Sequence, residues 1–344
     1  MNRNRLNNIF FILGVVTVIV MLFSFDVSFA ELWQHLCHAG YWLIPIIMVW
    51  AVIYAINAWS WLLIVNSKCG KKEVSFLHIY RLTITGYALN YATPVGGLGG
   101  EPYRIMELSR TISKEQATSS VILYAMMHIY AHFWFWFMSI FLYLGLALIG
   151  DLQLSPMLLV FFALTIVLCL SAFVLFIRGY NKGVVNMLVR IVSKIPGLKR
   201  WGNRIMTTHE QTIKEVDEQI AALRNQDMPT FYRSFALEFF SRIVQSLEIF
   251  FMLLLFDIDC GGGFSGLMLT FLHSVIILSF TSLLANLIGF LPMQLGVQEG
   301  GFVLSIAALG LSAALGIFVS IICRVRELLW IAVGLILMKI DFRH

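Results

Sequence analysis

Apolar residues run in long stretches along this chain, and polar residues are concentrated in the short segments between them. Several stretches are long enough for an α-helix to reach deep into, or across, a hydrocarbon core of roughly 30 Å. They lie at about Ile9–Phe25, Tyr41–Val65, Phe76–Thr93, Ala117–Ile149, Pro156–Ile177, Ser234–Phe256, Phe264–Leu291 and Ala314–Met338. The pattern predicts an all-α polytopic membrane protein.

The composition narrows the class of protein further. Hydrophobic residues make up 59% of the 344 residues and charged residues 12%, whereas soluble domains have about 45–50% apolar and about 25% charged residues. So few charges exclude a soluble globular enzyme, and an aromatic content of 14% excludes a disordered chain. The five cysteines are scattered and fit neither a disulfide framework nor a metal-ligand spacing. We expect no metal and no cofactor.

Basic residues are sorted between the apolar stretches. Lys and Arg occur before the first stretch, on both sides of the third, through 178–233 and after the last. The connections near 26–40, 150–155 and 257–263 contain acidic residues but no Lys or Arg. Since basic connections stay in the cytoplasm, we expect a plasma-membrane protein with both termini cytoplasmic. We expect the first stretch to remain as a span, although Ser28-Phe29-Ala30 resembles a signal-peptide cleavage site.

A proline and several glycines interrupt the pattern after the third stretch. Residues 90–104 read Asn-Tyr-Ala-Thr-Pro-Val-Gly-Gly-Leu-Gly-Gly-Glu-Pro-Tyr-Arg, and a helix does not continue through the centre of this segment. Both flanks are basic, so the chain returns to the side from which it entered. Because irregular backbone is not tolerated against lipid, we predict a re-entrant helical hairpin with Pro102 in the first turn of its second arm.

A second interruption near the C-terminus matches the first. It covers Pro292–Gly301, and Pro292 lies seven residues before Glu299, just as Pro94 lies seven residues before Glu101. The order span, hairpin, span then occurs twice, in 41–149 and 234–339, with opposite orientations. We therefore predict one membrane domain over 1–344, with about six spanning helices and two re-entrant broken hairpins in an inverted repeat, as in secondary transporters. Two ordinary loops with helix caps are the alternative.

The basic segment 178–233 lies between the two repeats and contains ten Lys and Arg residues. Its apolar positions favour amphipathic helices on the anionic inner leaflet. A solvated cytoplasmic linker that obeys the positive-inside rule is the alternative.

The first interruption resembles the signature of a known family. Pro-x-Gly-Gly-x-Gly-Gly-Glu-x-x-Arg at 94–104, with Asn90 before it, is similar to that of the flippase-like family named after the transmembrane region of lysylphosphatidylglycerol synthase. Pro-x-x-x-Gly-Val-x-Glu-Gly at 292–300 and Arg324 fit the same family, and the resemblance covers about 40–340. It implies movement of a lipid between leaflets. The best-known members carry a soluble aminoacyl-transferase domain; this sequence shows none, so we do not expect lysyl transfer to phosphatidylglycerol.

The two interruptions supply the chemistry of a candidate site. Half-helix N-termini present unpaired N–H groups, and a glycine loop admits a phosphate close to the backbone. Charges inside a membrane cost about 2.5–3.5 kcal/mol each to insert and are functional candidates for that reason. The predicted substrate-binding set is Asn90, Pro94, Gly96, Gly97, Gly99, Gly100, Glu101, Arg104, Gly296, Glu299, Arg324, Arg326 and Glu327. Further charges within apolar stretches are Arg81, Glu107, Glu238, Arg242 and Glu248.

We assign roles to these charges from their chemistry. Arg324, with Arg104 or Arg326, is expected to bind a headgroup phosphate through a planar guanidinium. Glu101 and Glu299 would bind an amine, exchange protons or position the arginines. The alternative is that the charges only pair among themselves to hold the helix bundle together.

Two histidines invite a metal interpretation that we do not favour. His128 and His132 are four residues apart, a spacing that binds zinc when Glu follows the first His. Ile129 follows it here, and no third ligand is evident. We interpret both histidines as packing residues or headgroup contacts.

These features together predict a lipid translocase with a midplane site between the two hairpins. The expected substrate is a phospholipid, another anionic or aminoacylated lipid, or an isoprenyl-phosphate-linked lipid; a separate lipid-modifying enzyme is a candidate partner, and nucleic acid is not. A small-anion secondary transporter would use the same half-helix chemistry. A membrane-embedded lipid-modifying enzyme would use the same carboxylates as acid and base. No nucleophile, metal-ligand set or nucleotide motif is recognisable, so we do not expect an enzyme.

Overall fold

The computed structural model describes residues 40–69, 74–92, 99–150, 152–183, 228–258, 262–287 and 296–340, with isolated residues between 186 and 218. These residues are helical apart from short connections, with no strand among them. The principal helices are α1 Leu43–Cys69, α2 Phe76–Ala92, α3 Gly100–Leu108, α4 Lys114–Leu148, α5 Pro156–Lys182, α6 Met228–Leu255, α7 Gly263–Leu287, α8 Val297–Ala308 and α9 Ala313–Lys339. The predicted span Ile9–Phe25 and most of 178–233 lie outside the described residues.

Four of the described helices are long and apolar enough to cross a membrane. They are Gly40–Ser67, Lys114–Leu148, Pro156–Arg178 and Gly263–Leu287. The first comprises a short 3-10 turn and most of α1, and the others lie within α4, α5 and α7. α6 and α9 are equally long, at 28 and 27 residues, but several charged residues interrupt their apolar sequence. The fold is therefore that of an all-α multi-pass membrane protein, and the number of six spans stays a prediction.

The first interruption lies where the sequence predicts it. α2 ends at Ala92, before the proline and glycine segment, and α3 begins at Gly100 with Pro102 in its first turn. α2 has 17 residues and so rises about 26 Å, which is short of the roughly 30 Å of a hydrocarbon core. The prediction of two separate short helices here is confirmed.

The second interruption ends earlier along the chain than predicted. Gly300 and Gly301 were expected within the break, but α8 already begins at Val297 and contains both. Gly301 lets α8 pack tightly on α7, because a Cβ at this position would lie only 3.2–3.4 Å from atoms of Thr281. α7 has 25 residues and is itself long enough to cross a membrane, so its re-entrant course stays a prediction.

The helices pack in an order that occurs twice. α1 packs on α2, α2 on α3 and α3 on α4; α6 packs on α7, α7 on α8 and α8 on α9. α2 also packs on α9, and α7 packs on α4 in the corresponding way. α1 and α6 lie against each other and run antiparallel, since Ser60 hydrogen-bonds to Ser234 whereas Trp50 hydrogen-bonds to Glu248.

Small residues bring α2 close to its neighbours. A Cβ on Gly100, at the start of α3, would lie 2.1 Å from the carbonyl oxygen of Gly86 in α2. A Cβ on Gly334 in α9 would lie 2.4 Å from the Cβ of Ala88. Backbone atoms cannot move aside without moving a helix, so both contacts depend on the absence of a side chain. α2 is thereby fixed between α3 and α9.

We predict that Gly100→Ala forces α2 and α3 apart and lowers the free energy of unfolding by about 1–3 kcal/mol, the usual cost of overpacking. Gly145→Ala is the matched control, because Gly145 lies in α4 and a Cβ there meets nothing within 4 Å. Thermal unfolding of the purified protein in detergent measures both variants. Equal unfolding temperatures for the two would contradict the close contact.

Candidate functional site: a charged cavity between the two interruptions

A cavity of about 480 Å³ lies among helices of both halves of the fold. Its volume is typical of small-molecule sites, which range over about 300–1,000 Å³. Both interruptions border it: Asn90 and Glu101 lie on either side of the first, and Asn286 and Gln298 lie on either side of the second. The cavity is therefore where the sequence predicts a binding site, between the two broken elements.

Both charged and apolar residues line the cavity. The charged residues, which we call the charged wall, are Glu101, Arg104, Arg242, Glu248, Arg326 and Glu327. The apolar residues include Ile129, Phe135, Leu278, Leu287 and Phe302. Ile129 and Leu287 are also 52% and 53% exposed. The cavity thus reaches the molecular surface beside α4 and the end of α7, and this opening is bordered by the apolar Ile129 and Leu287 and by the polar Asn286.

Asn90 bridges the first interruption. Its Oδ1 accepts a hydrogen bond from the N–H of Gly100 at 2.6 Å, and its Nδ2 donates to Glu101 at 3.4 Å. Glu101 also accepts a hydrogen bond from Arg104 at 2.8 Å. A side chain of α2 therefore already accepts a hydrogen bond from the N–H of the first residue of α3. This N–H was expected to be available to a phosphate.

Arg104 is enclosed by aromatic rings. Its guanidinium carbon lies between 4.9 and 5.7 Å from the ring centroids of Trp61, Tyr87 and Tyr124. It also donates to two backbone carbonyl groups of α2. Cation–π contacts and hydrogen bonds of this kind offset part of the cost of burying the charge.

Charged residues of α6, α8 and α9 form a continuous chain. Arg324 binds Glu299 and Glu327, each at 3.0 Å. The Nε and Nη2 atoms of Arg326 bind the two carboxylate oxygens of Glu248 at 2.7 and 3.3 Å. Arg326 also lies 3.7 Å from Glu327, which connects the two pairs. Alternating charges of this kind hold the three helices in one arrangement.

Trp50 and Gln298 extend this chain to α1 and to the start of α8. Trp50 donates to Glu248 at 2.8 Å, and its ring centroid lies 3.9 Å from the guanidinium carbon of Arg326. Gln298 donates to Glu327 at 3.1 Å. These neutral partners each give a carboxylate oxygen that faces Arg326 a further hydrogen bond.

The structure divides the predicted site residues into several groups. Those that line the cavity are Asn90, Glu101, Arg104, Arg326 and Glu327. Gly99 and Gly100 are buried at the start of α3, and Gly296, with a φ of 78°, precedes α8. Glu299 and Arg324 pair with each other and are not part of the cavity wall as described. Pro94, Gly96 and Gly97 lie outside the described residues.

Several residues of the cavity wall were not in the predicted set. Gln298 is a polar residue beside Glu299 in an apolar stretch, and that signal could have identified it. Trp50 carries no sequence signal that separates it from the other tryptophans. His128 and His132 line the cavity, and among the described residues no group of three or more His, Cys, Asp or Glu could hold a metal ion.

The sequence matches a known protein family over most of its length. Residues 11–334 match the family described as the lysylphosphatidylglycerol synthase TM region. The chain belongs to this family. The match covers both halves of the fold and confirms the resemblance carried by 94–104 and 292–300. Membership indicates a membrane protein of lipid-related function, and no curated protein or solved structure matches the chain.

We predict that Glu248→Gln lowers the free energy of unfolding by about 3–5 kcal/mol, because it leaves the buried Arg326 without its two-pronged partner. The exposed fractions of the two residues are 1% and 4%, so water cannot replace the lost carboxylate. Glu218→Gln removes a carboxylate from an exposed position and is the control. Thermal unfolding in detergent and size-exclusion chromatography compare the two variants with the wild type. An unchanged unfolding temperature for Glu248→Gln would contradict the assigned pairing.

Proposed function

We propose that this protein moves a phospholipid or another anionic lipid between the leaflets of a membrane. The observation that carries the proposal is the cavity with one charged wall and an apolar opening at Ile129 and Leu287. A lipid headgroup requires polar partners once it leaves water, and the charged wall offers them. The acyl chains can stay in hydrocarbon only if the cavity opens sideways to the membrane, and we propose that it does so at these two exposed residues. The lipid-related function of the family supports the same conclusion.

We also propose that α1–α4 and α6–α9 form an inverted repeat. The repeated packing order and the antiparallel course of α1 and α6 support it. In transporters of this architecture, one half moves against the other around a fixed site near the midplane. The cavity between the interruptions is where such a site would lie, in a plasma-membrane protein with both termini cytoplasmic.

A small-anion transporter is the second candidate, because three arginines line the cavity. A soluble ion, however, gains nothing from an apolar opening toward the membrane. The proposal involves no covalent step, so the lipid that arrives in the opposite leaflet is the lipid that left.

Reconstitution into liposomes tests the function. Fluorescent phosphatidylglycerol is included in both leaflets, and dithionite is added outside to bleach the outer-leaflet probe. With the purified protein we expect bleaching to continue into the inner-leaflet pool, while protein-free liposomes stop at the outer pool. Folded protein that leaves the inner pool unbleached would contradict the proposal. Uptake of labelled phosphate by the same liposomes would favour the small-anion transporter, and a new lipid species on chromatography would favour an enzyme.

We predict that Ile129→Trp slows translocation about tenfold, the effect of about 1.4 kcal/mol on the barrier, because the larger side chain narrows the opening. Ile317→Trp is the matched control, since Ile317 is 54% exposed on α9 and does not line the cavity as described. The dithionite assay measures both rates. Equal rates for the two variants would show that lipid does not pass beside Ile129.

A further inference from the structure

Arg242 differs from the other buried arginines of the described residues. Arg104, Arg324 and Arg326 each have a carboxylate oxygen within 4.0 Å, whereas no described carboxylate lies within that distance of Arg242. Arg242 is 7% exposed and lines the cavity. Its Nε atom is buried and has no hydrogen-bond partner among the described residues. A buried guanidinium without a carboxylate in direct contact is costly, so the position is suited to an anionic ligand.

The groups that do contact Arg242 are neutral acceptors. Its Nη1 donates to Gln245 at 2.8 Å and to Nε2 of His132 at 3.2 Å. The Nδ1 of His132 lies 2.9 Å from the carbonyl oxygen of His128 and donates to it, which leaves Nε2 as a bare acceptor. His132 is therefore the neutral tautomer with its proton on Nδ1.

His128 orients the other side of the guanidinium in a similar way. Its Nδ1 lies 2.8 Å from a carboxylate oxygen of Glu238, and its ring nitrogens face Nη2 of Arg242 at 3.4 Å. Glu238, one turn before Arg242 on α6, therefore engages the imidazole rather than the arginine. The two histidines hold the guanidinium in place without an ion pair in direct contact, although the Glu238 carboxylate is close enough to offset part of its charge electrostatically.

We propose that Arg242, oriented by His128 and His132, forms the phosphate-binding subsite of the cavity, and that its ligand is the phosphate of a lipid headgroup. This inference rests on the proposed function and names the group that the cavity recognises. A phosphate ester would give Arg242 an anionic partner in direct contact, and its oxygens suit the planar fork of a guanidinium. Arg324, which the sequence analysis favoured for this role, already binds two carboxylates.

The position of the subsite favours a lipid over free phosphate as its source. His128 directly precedes Ile129, which borders the apolar opening. A phosphate bound at Arg242 thus lies beside the opening through which acyl chains would leave the cavity. Free phosphate would bind the same guanidinium without using the opening.

The test measures binding of short-chain lipids to the full-length chain in detergent. Dioctanoyl phosphatidylglycerol is the probe, dioctanoylglycerol has the same chains without phosphate, and inorganic phosphate has no chains. A ligand that binds the folded state raises the unfolding temperature, so a titration gives an apparent Kd. We expect saturable binding of the phospholipid that is much tighter than that of either other compound. Equal binding of dioctanoylglycerol would overturn recognition of the phosphate, and equal binding of inorganic phosphate would overturn the lipid as its source.

Substitutions at Arg242 test whether this residue binds the phospholipid. We expect Arg242→Gln to weaken phosphatidylglycerol binding about tenfold or more, as for loss of a charge-assisted hydrogen bond. Arg242→Lys keeps the positive charge but not the planar guanidinium, so we expect it to weaken phosphatidylglycerol binding less than Arg242→Gln does. Arg233→Gln removes the same charge from an exposed position of α6 and should bind as the wild type does. Wild-type affinity in folded Arg242→Gln, or in Arg242→Lys if the glutamine variant does not fold, would overturn the inference.

The outcomes separate this inference from the proposed function. If phospholipid binds through Arg242 but wild-type liposomes do not translocate lipid, the subsite stands and the translocase proposal falls. If the liposomes translocate lipid and Arg242→Gln binds phosphatidylglycerol as tightly as the wild type, the subsite falls and the translocase proposal stands.

Discussion

The cost of burying charge away from water governs the arrangement of this protein. Each arginine inside the bundle needs a partner, and in most cases that partner lies on another helix or across a break. The Arg326–Glu248 pair joins α9 to α6, and the Arg324–Glu299 pair joins α9 to the start of α8. Asn90 joins α2 to α3 across the first interruption. A shift of any of these helices would leave a buried charge or N–H group unsatisfied, so the polar contacts select one arrangement from the many that apolar packing alone would allow.

Stability alone does not account for so many ion pairs. Apolar residues of similar volume in place of a buried pair are often neutral or stabilising, and the remainder of the bundle is built from such residues. The pairs are concentrated in the wall of one cavity, where Glu101, Arg104, Arg326 and Glu327 all contribute. The concentration of these ion pairs at one cavity, rather than their number, therefore connects them with ligand binding. A polar wall that is already satisfied internally can receive a headgroup without the collapse that an empty polar cavity would favour.

Much of the fold follows from local sequence, whereas the site depends on which helices meet. Long apolar stretches and proline–glycine interruptions are local signals, so the bounds of α2, α3 and α9 agree with the sequence prediction to within a few residues. The break was expected to extend to Gly301 because Gly300 and Gly301 resemble helix breakers in sequence, whereas both lie within α8 and Gly301 serves close packing on α7. The pairs Arg104–Glu101 and Arg324–Glu327 are three residues apart and local, whereas the approach of Glu299 to Arg324 and of Glu248 to Arg326 is not. Arg324 and Arg242 each have a glutamate nearby in sequence, but only Arg324 is in direct contact with its glutamate and with a second one from another helix.

A transported headgroup must bind firmly enough to enter the cavity and weakly enough to leave it. Four unpaired arginines around one phosphate would hold it too tightly for turnover. In this structure Arg104, Arg324 and Arg326 are already paired with carboxylates, and Arg242 alone of these four has no direct ion pair with a carboxylate of the described residues. The histidines fix its orientation in advance, so binding does not require ordering a flexible side chain. The same carboxylates that make the other arginines tolerable in a membrane thus limit the affinity of the site, and a single oriented guanidinium suits capture followed by release.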